Sequence, residues 1–148
     1  MKLYYLLFFL CAINNLKAQE LKKYTFKEVE QLQEKEKRKV LIFVSTSWCK
    51  YCKRIEKTVL KDTEVISKLN KDYYFIILEA DKKDKIEFKN KIYNFKPSGL
   101  NLGYNEIVEI LFKNNSMIFP SFIIYNQDWE LQKIIQSTLT KEQFLQLF

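Results

Sequence analysis

Five apolar residues, Val40 to Val44, lead through Ser45-Thr46-Ser47-Trp48 into two thiols, Cys49 and Cys52. A short unbroken apolar run bounded by polar residues predicts a buried strand. If a helix starts at Cys49, the i, i+3 spacing puts both sulfurs on one face, within disulfide reach. Cys49 then stands at a helix N-terminus, where unpaired N–H groups and the macrodipole favour a thiolate. These few residues ask for an α/β fold in which a strand end presents sulfur.

The first 18 residues have a different character. Met1-Lys2 is a short positive segment, Leu3 to Ile13 is apolar throughout, and Ala18 supplies a small residue ahead of Gln19. This pattern predicts a secretory signal peptide over residues 1–18, cut before Gln19. The alternative, a membrane anchor, needs a longer apolar run than this one. Cys11 lies inside the apolar run behind bulky Leu10 and leaves with the leader. The expected mature chain, residues 19–148, is one domain with enough length for a core. Its expected address is periplasmic or secreted.

Two cysteines then remain, spaced C-x-x-C; chance placement gives that spacing roughly once in sixty trials. A bridge across two intervening residues stabilises a fold less than one closing a long loop. Stapling is therefore the weaker explanation, and dithiol–disulfide exchange the stronger. The chain has no His, so soft ligands cannot complete a zinc site. Lys53 follows Cys52 where a c-type haem attachment requires His. No metal or cofactor is expected. Without Lys2 and Lys17 the net charge falls from +7 to +5. The cations are mixed with acids, as in Glu34-Lys35-Glu36-Lys37-Arg38, which suits solvated helix faces better than a nucleic-acid groove.

Thr25 with Glu28 forms a capping box for a first helix ending in the charged run before Val40. The thiol-bearing helix is expected from Cys49 to about Leu60, and Asp62 or Thr63 caps another through Leu69. Tyr73–Leu78 reads as a second buried strand and Lys82–Tyr93 as a charged, exposed helix. Phe95–Phe119 holds Pro97, Gly99, Gly103 and a short amphipathic helix, Glu106–Phe112. Pro120 opens a strand, Ser121–Tyr125; a turn at 126–128 leads to a hairpin strand, Trp129–Ile135. Thr140 and Gln143 cap a closing helix. The order predicts an α/β fold with a mixed sheet.

Trp48-Cys49-Lys50-Tyr51-Cys52 after a strand, with Phe119-Pro120-Ser121-Phe122 before the penultimate strand, resembles the thioredoxin superfamily over essentially the whole mature chain. Ser47-Trp48-Cys49, Glu56-Lys57-Thr58-Val59-Leu60 and Asp62-Thr63-Glu64-Val65 look more narrowly like exported thioredoxin-like proteins related to the periplasmic domain of transmembrane disulfide reductases. The resemblance implies a central mixed sheet flanked by helices, with a helical insertion before the cis-proline strand. It implies Cys49 as the exposed nucleophile and Cys52 as the buried resolving thiol. Pro120 would be cis against the disulfide, with the Phe119 backbone pairing to an extended substrate segment. Trp48 would either shield the motif or pack in the core. Lys50 and Tyr51 would tune the thiol, with Lys53 and Arg54 as added charge or plain solvated residues.

The resemblance further implies exchange with cysteines or disulfides of protein substrates, as reductase or isomerase, fed by a membrane-bound electron donor. Two other classes stay open: a binding module for unfolded or cysteine-containing chains, and a structural domain with a permanent disulfide. One departure stands out. Thioredoxin places a buried Asp six residues before the first Cys; here Phe43 occupies that position, and Ile77 stands where a buried Lys is expected. Glu56 or Glu79 would have to substitute. The long Phe95–Phe119 segment reads either as a helix covering a sheet edge or as a wall that selects partners.

Overall fold

In the computed structural model, which describes residues 19–100 and 102–148, four strands build the central sheet. They are β1 (Lys39–Ser45), β2 (Tyr73–Glu79), β7 (Ser121–Tyr125) and β8 (Leu131–Ile135), in the order β2-β1-β7-β8. β1 runs parallel to β2 and antiparallel to β7, which pairs antiparallel with β8. Helices α1 (Phe26–Lys35), α2 (Lys50–Lys57), α3 (Thr63–Asp72), α4 (Ile107–Phe112) and α5 (Lys141–Leu147) complete the frame. The predicted signal peptide lies outside the described residues, as does Asn101.

Side-chain alternation along β1 divides the core. Val40, Ile42 and Val44 enter one cluster with Phe26 and Val29 of α1 and Ile107, Val108 and Leu111 of α4. Leu41 and Phe43 enter the other with Cys52 and Ile55 of α2, Leu69 of α3 and Phe144 of α5. β1 is thus buried on both faces, as a continuous apolar strand between helix layers must be. The caps stand where the sequence puts them: Thr25 and Thr140 form capping boxes, and Asp62 accepts from the Glu64 and Val65 N–H groups.

The segment after β2 corrects the sequence reading. Residues 82–93 form no helix; they make a hairpin of β3 (Ile86–Phe88) and β4 (Lys91–Tyr93), turning through Lys89 and Asn90 at φ 50° and 58°. Phe88 and Tyr93 are buried, and Phe88 packs 5.2 Å from Phe26 and 4.6 Å from Trp129. Two aromatic anchors outweigh the helix-friendly charges between them. A second hairpin, β5 (Phe95–Gly99) with β6 (Leu102–Asn105), precedes α4. Gly103, at φ 156°, faces the Phe95 ring so closely that a built Cβ would stand 2.4 Å from its Cζ. The insertion before β7 is therefore a hairpin as well as the expected helix. The predicted thiol helix is also shorter: α2 ends at Lys57, and a 3₁₀ turn covers Val59–Lys61. Trp129 is not part of the hairpin strand but turns through φ 61° ahead of it.

Candidate active site

Strand register assembles the site. Val44 lies opposite Ser121, so the residues just before β7 face the loop just after β1. Phe119, far from Cys49 in sequence, packs for that reason against the cluster that holds Cys49 and Cys52. The Phe119–Pro120 peptide bond is cis and Pro120 is buried. Ser121 Oγ donates to the Ile118 carbonyl across this turn. Pairing to β1 begins at Ser121 and leaves Phe119 outside the ladder.

On the other side of β1, Ser45 lies opposite Glu79, so the chain beyond β2 reaches the same loop. Asp81 there accepts the Ser47 N–H at 2.9 and 3.0 Å on its two oxygens, and the Ser47 hydroxyl donates to Oδ2. This carboxylate holds the backbone one residue before Trp48. The sequence reading missed it, because only the register brings Asp81 to Ser47; the loop-closing position after a buried strand was the available signal.

Cys49 and Cys52 are joined, with Cα atoms 5.3 Å apart. Cys49 is the N-cap of α2 rather than its first helical residue, and its Sγ accepts the Cys52 N–H at 3.1 Å. In the disulfide this sulfur is neutral; on reduction the same position would hold a thiolate against a helix N-terminus. Cys52 is fully buried, while Cys49 keeps 4% of its surface. Cys49, expected as an exposed nucleophile, is instead buried in the oxidised state. Its sulfur is turned back over the first turn of α2 by the bond to Cys52.

Trp48 is 65% exposed and stands edge-on to the half-buried Phe119, ring centroids 6.1 Å apart. This removes the core-packing alternative for Trp48. Phe119 in turn packs edge-on to Phe112 of α4, so the insertion supports the proline turn. Lys50 and Tyr51 both project outward.

Behind the disulfide the wall is carbon. Phe43 is fully buried and packs, with tilted rings 4.9 Å apart, on Phe122 in the cluster that holds Cys52. The buried polar residues are Gln33, Ser45, Thr46, Asn105 and Ser121, with no carboxylate among the described residues. Glu79 is exposed and Glu56 half-buried, so neither stands in the core as a replacement acid. The Ser45 and Thr46 hydroxyls, buried just ahead of the motif, have no hydrogen-bond partner among the described residues. Among the described residues no group of His, Cys, Asp and Glu could hold a metal ion.

A thioredoxin-like domain family model matches residues 25–148. The chain belongs to the thioredoxin-like family. Solved structures agree on the fold. The oxidoreductase DsbH superposes with a TM-score of 0.61 at 13% identity, over 90% of this chain and 85% of that one. A thioredoxin from Thermus thermophilus gives 0.60 at 18% identity, over 86% and 84%. A disulphide isomerase from Xylella fastidiosa gives 0.55 at 11% identity, over 82% of each. No curated protein sequence matches significantly. In this thioredoxin-like chain the C-x-x-C pair stands at a helix N-terminus, with Phe119 of the cis-peptide turn packed against the same cluster. Its chemistry is that of thiol–disulfide exchange.

Proposed function

We propose that the protein is an exported thiol–disulfide oxidoreductase acting on cysteines of other proteins, as a reductase or isomerase. One observation carries this reading: the Cys49 sulfur sits at the N-cap of α2, accepting the Cys52 N–H, with Cys52 buried behind it. The Cys49 thiolate attacks one sulfur of a substrate disulfide, forms a mixed disulfide and expels the other sulfur as thiolate. Cys52, losing its proton, attacks Cys49 Sγ and releases the second substrate thiolate. Two electrons pass to the substrate and the Cys49–Cys52 bond forms. Phe119, outside the ladder beside Pro120, offers its backbone to an extended substrate strand. Trp48 shields the motif, and Lys50 beside the nucleophile favours its ionised form. Tyr51 completes the motif's outer face.

A membrane-bound donor would return the electrons. The predicted leader on residues 1–18 supports a protein outside the cytoplasm. Among the described residues no helix is long and apolar enough to cross a membrane. Replacing Cys52 by Ser removes the second attack, so mixed disulfides between Cys49 and substrate proteins should accumulate and dissolve under reductant. Equal partner retention by a chain lacking both thiols would instead make it a binding module. Sequencing the N-terminus of the exported protein tests the cut before Gln19.

A further inference from the structure

The outward face of α2 carries four cations, with the exposed Tyr51 at its flank. Lys50, Lys53, Arg54 and Lys57 follow the i, i+3, i+4, i+7 pattern, which places them on one side of the helix over roughly 10 Å. All four are exposed, opposite the buried Cys52 and Ile55. Seven cations elsewhere, Lys27, Lys37, Arg38, Lys68, Lys82, Lys96 and Lys141, each meet a carboxylate. Among the described residues none of the four on α2 does. Helix electrostatics account for only half of the stripe. Cations in the last turn suit the macrodipole, so Arg54 and Lys57 stabilise α2, but Lys50 and Lys53 in the first turn oppose it. An outward face needs only polarity, and Glu, Gln or Ser would supply that without repulsion.

On the far side of the disulfide the surface is apolar, with Trp48 65% and Ile118 50% exposed next to Phe119. We propose that this two-sided surface selects the substrate: a polypeptide whose reactive cysteine is flanked by acidic residues along α2 and apolar ones beside Phe119. The inference rests on the exchange function proposed above and names its substrate class. The observations favour a polypeptide over an anionic membrane because the stripe begins beside the nucleophile, where only a chain bearing the attacked disulfide must lie.

Two synthetic peptides with the same disulfide ring, one flanked by Asp and Glu and the other by Lys, test it. The neutral hydroxyethyl disulfide serves as reference for the reduced mature protein. At about 50 mM salt the acidic peptide should react at least roughly tenfold faster than the basic one. At about 1 M, where the Debye length is about 3 Å, the ratio should fall below about threefold. The Lys53→Gln, Arg54→Gln, Lys57→Gln triple variant should bring the ratio near one. Because the readout is a ratio, any change in Cys49 reactivity cancels. Equal rates for both peptides, with hydroxyethyl disulfide still reduced, overturn the inference and leave the exchange function standing. So does a triple variant that keeps the ratio, or binding to anionic phospholipid vesicles without peptide preference. Failure to reduce hydroxyethyl disulfide overturns both readings.

Discussion

Reduction of the Cys49–Cys52 bond should change the stability of the fold very little. The bonded residues are three apart in sequence, and closing so short a loop constrains the unfolded chain by about 2 kcal/mol at 25 °C in the chain-entropy relation. Reduction forfeits that constraint but gains an anion at the N-cap of α2. There the N–H groups and the macrodipole return about 0.3–1 kcal/mol, and up to about 2 in partly buried sites. The oxidised form should therefore exceed the reduced form by about 0–2 kcal/mol. For a two-electron couple this places the folded pair within about 40 mV of the same pair in an unfolded chain. Parallel urea unfolding of the oxidised and fully reduced mature protein measures the difference. A gap above about 3 kcal/mol would mean a structural staple and would refute the exchange argument.

Two further outcomes test the surroundings. Asp81→Ala removes the carboxylate that holds Ser47, and should cost about 1–2 kcal/mol of stability. It should also slow reduction of a protein disulfide; an unchanged exchange rate would show that the loop keeps its shape without the clamp. Burial pushes the Tyr125 hydroxyl up to about 12. Its folded value lies above the unfolded one near 10, so its contribution is complete below pH 10 and is lost as pH rises from 10 towards 12. The full loss is about 2–3 kcal/mol, and Tyr125→Phe should flatten that alkaline limb in pH-dependent unfolding. An equally steep limb in the variant would assign it elsewhere, with Tyr73 and Tyr74, also pushed up by burial, as the next tyrosines to replace.

How much of this was legible in the sequence depended on whether a signal was local. β1, the motif and the caps at Thr25, Asp62 and Thr140 each announce themselves within a few residues, and they stand where expected. The 82–93 hairpin did not, because Lys dominates its composition. What decides its shape is the burial of Phe88 and Tyr93 against α1 and Trp129, a tertiary matter. Lys89 and Asn90 take the left-handed conformation without a glycine to advertise the turn. In the site, the thiols could be singled out from spacing and Pro120 through the family resemblance, whereas Asp81 belongs to the loop only through the β1–β2 register. The orientation of Trp48 was equally out of reach: a large ring beside an apolar strand suits the interior, and only its edge-on meeting with Phe119 puts it outside.

The antiparallel seating of β7 on β1 also has a consequence for how the protein comes into being. Some seventy residues must follow Cys49 before Pro120 arrives, and the sulfurs have no finished enclosure until the last fifth of the polypeptide is laid down. A nascent or nicked chain ending short of residue 120 would carry both thiols and the cationic face of α2 without the proline turn that borders them.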